Sequence, residues 1–376
     1  MGSVLLVASL INRPYVLDLL PDRSVVRRLG EAGLDVWMLD WGTPLAEDAD
    51  RGLADYALEV LPAAAAQVAA ATDGRAPHIV GYCMGGTFAL IALGAQRLRA
   101  RSLVAMATPV ALHDEGLLSL WCRSPGFDAR ELHRCYGNIP PHLLQPAFKM
   151  LDPVGLATKL GHLDEHMNDD NFLRFFLAME TWLEDSVAFP GRAFTEWVDL
   201  YKSDSLSSGA LRLGGARVDL RNVTCPVRSL VAAGDYITPS ASSTVLGDLI
   251  GGTHELVTMR GGHIGLATGG EAQRTLWPAT ARWMAEQPEI DLMQVHKKAP
   301  AARPAKATRT PSAGSPRPRE VVMQAHKKSA AHAPSTRAKS SSSPSHKRPA
   351  TKRSAVTQLH KKVVVRAHKK PRGKRP

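Results

Sequence analysis

Gly81-Tyr82-Cys83-Met84-Gly85-Gly86 reads G-x-C-x-G, the pattern of a nucleophile elbow with cysteine where serine is usual. Ahead of it, His78-Ile79-Val80 predicts a strand end. Behind it, Gly86-Thr-Phe-Ala-Leu-Ile-Ala-Leu93 predicts the start of a helix. A sharp strand-to-helix turn lifts one side chain clear of the sheet. The glycines two before and two after that side chain keep the turn free of collisions. The helix N-terminus behind the sulfur favours a thiolate. The plain alternative is a glycine-punctuated turn that buries an inert cysteine. The partners of Cys83 decide between the two.

Outward from the elbow, strand-like and helix-like segments alternate, which predicts an α/β fold with a mostly parallel sheet. Strands are expected at Val4–Ala8, Asp35–Leu39, Leu103–Ala107, Val227–Ala233 and Glu255–Met259. Helices are expected at Ser24–Ala32, with Ser24 as N-cap, at Leu53–Ala71, where Pro62 kinks or divides it, near Ala241–Leu249 and at Glu271–Gln287. From Pro109 to Val223 the rhythm turns helical, with irregular Pro-Gly breaks, as in Asn171-Phe-Leu-Arg-Phe-Phe-Leu177. Residues 1–108 and 224–290 therefore form the expected core and residues 109–223 a cap inserted over it.

A cysteine nucleophile needs a base, and the base needs an acceptor to orient it. In the α/β-hydrolase fold these follow in the order nucleophile, acid, histidine. Asp235 follows the strand-like Ser229-Leu-Val-Ala-Ala-Gly234, at the strand end where open α/β sheets place their sites. His263 sits in Arg260-Gly-Gly-His-Ile-Gly265, a glycine-rich loop with the freedom to reach the sulfur. Read singly, Asp235 is also a plausible turn residue and His263 a plausible surface histidine. An oxyanion hole would use the backbone N–H of Met84 and a second N–H from the loop Leu10–Asn12, near Ile11. His78 reads as structural, and His113, His133, His142, His162, His166 and His254 have no companion motif. His133 and Cys135 lack a second ligand pair at zinc spacing, so no metal site is expected.

The four cysteines, Cys83, Cys122, Cys135 and Cys225, form no disulfide framework, which suits a reducing cytosol. The opening residues lack the basic region of a signal peptide, and no apolar run reaches the length of a membrane span. Charge is divided sharply along the chain. Residues 1–295 carry 24 basic and 34 acidic side chains, whereas residues 296–376 carry 23 basic side chains and the single acid Glu320. Residues 291–376 are expected to be a disordered Lys/Arg/Ala/Pro-rich tail, because so little apolar surface cannot offset the entropy of ordering. A short word recurs in it: Met293-Gln-Val-His-Lys-Lys298, Met323-Gln-Ala-His-Lys-Lys328, Thr357-Gln-Leu-His-Lys-Lys362 and, more weakly, Val365-Arg-Ala-His-Lys-Lys370. A flexible polycation suits DNA, polyphosphate or an anionic granule surface. Its lack of aromatic residues argues against base stacking. A solubilising extension is the plain alternative.

With these motifs in place, the chain from Val4 to Glu286 resembles the polyhydroxyalkanoate (poly-3-hydroxybutyrate) synthases, in their class III catalytic-subunit form. The resemblance rests on Leu10-Ile-Asn-Arg-Pro-Tyr15, Leu39-Asp-Trp-Gly42, Gly81-Tyr-Cys-Met-Gly-Gly-Thr87, Met179-Glu-Thr-Trp182 with Asp185-Ser186, Val218-Asp-Leu220 with Asn222-Val-Thr224, and Gly261-Gly-His-Ile-Gly265. It implies Cys83 as nucleophile, Asp235 as acid and His263 as base. It implies acyl transfer from 3-hydroxyacyl-coenzyme A to a nascent polyester, with the coenzyme A thioester as substrate and no separate cofactor. It implies a cytoplasmic enzyme at the surface of polymer granules, working with a non-catalytic second subunit or as a homodimer, and the basic tail adds nucleoid association as an expectation. It also sets an expectation of residues and outer strands ahead of Val4, so a chain opening here implies an upstream start or a sheet short of an edge. The basic tail is not part of that resemblance. Two rival readings are a thioesterase or polyester depolymerase of the same fold, and a non-catalytic granule- or nucleoid-binding protein acting through its tail.

Overall fold

The structure is a computed structural model that describes residues 2–292 and 364–366. Its centre is a seven-stranded sheet. The strands are β1 (Ser3–Val7), β2 (Asp35–Leu39), β3 (His78–Tyr82), β4 (Leu103–Met106), β5 (Val227–Ala232), β6 (His254–Met259) and β7 (Val364–Arg366). Their spatial order is β6-β5-β4-β3-β1-β2-β7. The first six run parallel, and β7 joins antiparallel to β2.

Alternation along these strands builds two cores. Leu5, Val7, Leu39, Ile79 and Leu103 face one side, and Val4, Leu6, Val36, Val80 and Val104 face the other. Strands buried on both faces read as continuous apolar runs, which is the signature of a parallel sheet covered by helices. Helices α1 (Val25–Glu31), α2 (Leu61–Ala71) and α3 (Met84–Gly94) follow β1, β2 and β3 in turn. Ser24 caps α1 as expected: its Oγ accepts the backbone N–H of Arg27 at 2.8 Å.

The expected helix over 53–71 is divided next to Pro62. A π-helical turn, Asp55–Val60, runs directly into α2, with Pro62 in that helix's first turn. The wider turn moves the preceding carbonyls away from the ring that would otherwise strike them and absorbs the missing N–H. The same device recurs at the end of the body, where the π turn Ala272–Leu276 leads into a helix at Trp277–Glu286 that carries Pro278 in its first turn.

Between β4 and β5 the chain leaves the sheet for six helices: α4 (Leu117–Arg123), α5 (Ala129–Tyr136), α6 (Pro141–Lys149), α7 (Pro153–Glu165), α8 (Asp170–Glu184) and α9 (Gly191–Ser203). They are tied down over the loop that follows β1. The N–H of Val187 donates to the Ile11 carbonyl at 3.1 Å, and Trp182 Nε1 donates to the Arg13 carbonyl at 2.8 Å. After β5 come two short helices, α10 (Ser240–Thr244) and α11 (Leu246–Leu249), where the sequence predicted one. Short helix α12 (Gly265–Thr268) follows β6 and precedes α13, the helix at Trp277–Glu286.

The body continues two residues beyond the expected boundary at 290. The Leu292 N–H donates to the Gly74 carbonyl, and Asp291 bridges to Arg75. The expectation of disorder lies outside the described residues for 293–363 and 367–376. At 364–366 it is corrected, because those residues form β7. Val364 and Val365 are β-branched and suit an edge position.

Candidate active site

Cys83, Asp235 and His263 come together at one end of the sheet. Cys83 leaves the C-terminal end of β3, Asp235 follows β5, and His263 follows β6. Cys83 has φ 54° and ψ −123°, a region that a residue with a Cβ enters only under strain. The surrounding bonds over-determine that conformation. The Cys83 N–H donates to the Met106 carbonyl at 2.9 Å, and the Cys83 carbonyl accepts from Gly86 at 2.9 Å and Thr87 at 3.3 Å.

The two flanking glycines answer a need for close approach. A Cβ on Gly81 would fall on the Cα of Gly86, and a Cβ on Gly85 would fall on the Val7 carbonyl. Only glycine lets α3 start this close to the turn and to the end of β1.

His263 Nδ1 donates to Asp235 Oδ2 at 2.7 Å, which leaves Nε2 for Cys83. Asp235 is itself fixed: its Oδ1 accepts from the N–H groups of Ile237 at 2.9 Å and Thr238 at 2.8 Å. Tyr82 packs against the imidazole with ring centroids 5.1 Å apart. The acid–base pair is thus held on three sides, and both members are buried.

Electrostatics follow from that enclosure. Burial pushes the Cys83 thiol up, but the facing charge of His263 and hydrogen bonds from His263 and Ser9 outweigh it, and the net shift is downward. Burial also disfavours a charged His263. The facing Cys83 and the bond to Asp235 outweigh that and raise His263 to about 10. The pair therefore favours thiolate and imidazolium together. Cys122 stands in the same cavity with no such partner, and burial pushes its thiol up to about 12. One cysteine of the cavity is activated and the other is not.

Met84 supplies the first N–H of α3, a position that the helix itself leaves without an acceptor. Three carbonyls of the loop 8–13 are held in fixed bonds. Ala8 accepts from Trp41 Nε1 at 2.9 Å, Ile11 from Val187 and Arg13 from Trp182. Ile11 lines the cavity beside Cys83.

The cavity has a volume of about 250 Å³. Cys83, His263, Ser9 and Ile11 lie at its floor, and Trp121, Phe148, Trp182, Phe194 and Trp197 are among its walls. Most of those walls come from the helices between β4 and β5. The site can hold an apolar acyl chain over an activated sulfur and keep water from it.

Sequence reasoning missed Ser9, Tyr82, Trp41 and the Ile237–Thr238 amides. Ser9 belongs to no motif. Trp41 was noted only within Leu39–Gly42, with nothing in its spacing to say that it clamps the Ala8 carbonyl. His78 is structural as expected: it is buried, with Nδ1 2.7 Å from Ser102 Oγ, and burial lowers it to about 3.

Residues 14–135 match the α/β-hydrolase fold family. Over 290 residues the chain is 33% identical to the poly(3-hydroxyalkanoate) polymerase subunit PhaC of Haloferax mediterranei, covering 76% of this chain and 59% of that protein. It is 33% identical to the protein of the same description from Thiocystis violacea over 288 residues, covering 76% of this chain and 81% of that one. It is also 33% identical to the one from Allochromatium vinosum over 290 residues, covering 76% and 81%. The chain thus spans about three fifths of the length of the Haloferax mediterranei protein and four fifths of the other two.

Proposed function

We propose that this chain, which belongs to the poly(3-hydroxyalkanoate) polymerase family, lengthens a polyester by acyl transfer from 3-hydroxyacyl-coenzyme A through Cys83. The observation that carries this reading is the arrangement of Cys83 with the buried His263–Asp235 pair in an apolar cavity.

The Cys83 thiolate attacks the substrate's thioester carbonyl. A C–Sγ bond forms, the C–S bond to coenzyme A breaks, and the imidazolium of His263 gives its proton to the departing sulfur. The N–H groups of Met84 and of the loop around Ile11 receive the oxyanion charge. His263, now neutral, takes the proton from the 3-hydroxyl of the next monomer, whose oxygen attacks the acyl-cysteine. An ester C–O bond forms, the C–Sγ bond breaks, and the proton on His263 faces the restored thiolate. The lengthened chain, now a coenzyme A thioester, returns to Cys83 in the next exchange. Asp235 holds Nδ1–H throughout, so Nε2 alone handles the proton.

Thioester exchange is close to isoenergetic, so cysteine holds the chain without trapping it. Hydrolysis competes at the acyl-cysteine stage, and an apolar cavity disfavours it by excluding water. An insoluble product places the working enzyme at the surface of a polymer granule. Among the described residues no helix is long and apolar enough to cross a membrane. The 23 cations against one acid over residues 296–376 give the tail the chemistry of a counterion-release ligand for a polyanion.

The test is incubation of the purified protein with 3-hydroxybutyryl-coenzyme A. Release of free thiol with formation of insoluble polymer is expected, and Cys83→Ala should lose both while keeping its thermal midpoint. Thiol release with soluble hydroxyacid alone would make the protein a hydrolase, and turnover retained in Cys83→Ala would remove Cys83 from the reaction.

A further inference from the structure

Phe194, Trp197, Val198 and Tyr201 recur at the spacing of one helix face, and all four line the cavity that holds Cys83. Tyr201 is 3% exposed, and its ring meets the Trp197 ring edge-on with centroids 6.2 Å apart. Its hydroxyl makes no hydrogen bond among the described residues. A buried phenol in that condition is uncommon, because the lost hydrogen bonds to water have no replacement.

Two other rings of the same cavity show the usual arrangement. Tyr82 Oη donates to the His263 carbonyl at 3.5 Å, and Trp182 Nε1 donates to the Arg13 carbonyl at 2.8 Å. The Tyr201 hydroxyl is left for something that enters the cavity. Burial, with the charges of Cys122 and Cys83 next in weight, holds its phenol well above the ordinary tyrosine value. It therefore stays protonated and serves as a donor.

We propose that the Tyr201 hydroxyl donates a hydrogen bond to the oxygen on carbon 3 of the acyl group carried by Cys83, and so selects 3-hydroxyacyl over plain acyl thioesters. This rests on the acyl-transfer reading above and adds a specificity residue to it.

The fit is one of complementary needs. An acyl chain that enters the cavity leaves water behind. Its carbons suit the aromatic and aliphatic walls, but the carbon-3 oxygen does not, and burying it without a partner disfavours binding. Tyr201 brings a donor with the same deficit into the same cavity. A plain acyl chain would leave that donor unpartnered in the complex. A site built to bond a substrate oxygen rejects an analogue that lacks it.

The test compares acylation of Cys83 by 3-hydroxybutyryl-coenzyme A and by butyryl-coenzyme A, read as the burst of free thiol. Tyr201→Phe keeps the ring and its contact with Trp197 and removes one oxygen. Wild-type protein should favour the hydroxyacyl thioester in kcat/KM, and the ratio of the two substrates should fall roughly tenfold in Tyr201→Phe, about the worth of one hydrogen bond. The thermal midpoint and the pH midpoint for alkylation of Cys83 by iodoacetamide should stay at their wild-type values. Equal loss with both thioesters, or an unchanged ratio, would overturn the assignment. So would wild-type protein that takes both thioesters equally fast, a result that needs no variant. Wild-type protein acylated by neither would instead overturn the acyl-transfer reading, and this assignment with it.

Discussion

The elbow and the cap meet at the same cavity but are built on opposite terms. Every residue of β3 and α3 is buried, and backbone lies where a Cβ on Gly81 or Gly85 would go. In the cap, α6 has no fully buried residue, and Met150, Val154 and Leu177 are more than half exposed. The elbow fixes one sulfur to within the tolerance that acyl transfer needs. The cap supplies apolar wall from helix faces that are only partly enclosed, which would suit the growing chain of the proposed reaction. Chemistry sits where the chain is pinned from both faces of the sheet, and accommodation sits where it is pinned from one.

The largest test of that contrast is Gly85→Ala. The added methyl meets the Val7 carbonyl, which is backbone in a fully buried interior strand and cannot give way. The expected loss is about 3 kcal/mol or more, read as a large drop in thermal midpoint or as insoluble protein. A soluble Gly85→Ala protein with an unchanged midpoint would mean that the elbow is far less constrained than its contacts indicate.

The elbow was legible because its demands are local. A strand end, two glycines and a helix start lie within a few residues, and each leaves its own mark in the sequence. Asp235 and His263 were legible for a related reason: chain order and strand ends place them, although they sit far apart in sequence. Ser9 was not legible. It approaches Cys83 only because β1 lies beside β3, a juxtaposition that no spacing in the sequence encodes. Nor was the resolution of Pro62, since a proline in a helical run announces a disturbance but not the π turn that absorbs it. The tail shows the converse failure. Its composition suggests that it cannot build a core, but composition does not register that three residues can pair with an edge supplied by the body.

The next effect down concerns charge at the elbow. His263→Gln removes the charge and the hydrogen bond that hold the Cys83 thiol down, while the burial that pushes it up remains. The pH midpoint for alkylation of Cys83 by iodoacetamide should therefore rise, from below to above the ordinary thiol value of about 8.5. Ser9→Ala removes a weaker contribution of the same sign, so its midpoint should rise by less. Wild-type and Ser9→Ala profiles that superimpose would take Ser9 out of the site, and a lowered midpoint in His263→Gln would break the thiolate–imidazolium pair.

The smallest expected effect is the other half of the contrast. Val154 lies in α7 with 71% of its surface in solvent and lines no part of the cavity. Val154→Ser exchanges an exposed apolar group for a polar one and leaves no void, so its stability should stay within about 0.5 kcal/mol of wild type. Helix propensity barely separates the two residues. Thiol release should be unaltered, because nothing between Val154 and the sulfur changes shape. A thermal midpoint lowered as far as that of Gly85→Ala would show that this face of the cap is covered in solution, and the cap would then be pinned from both sides, as the elbow is.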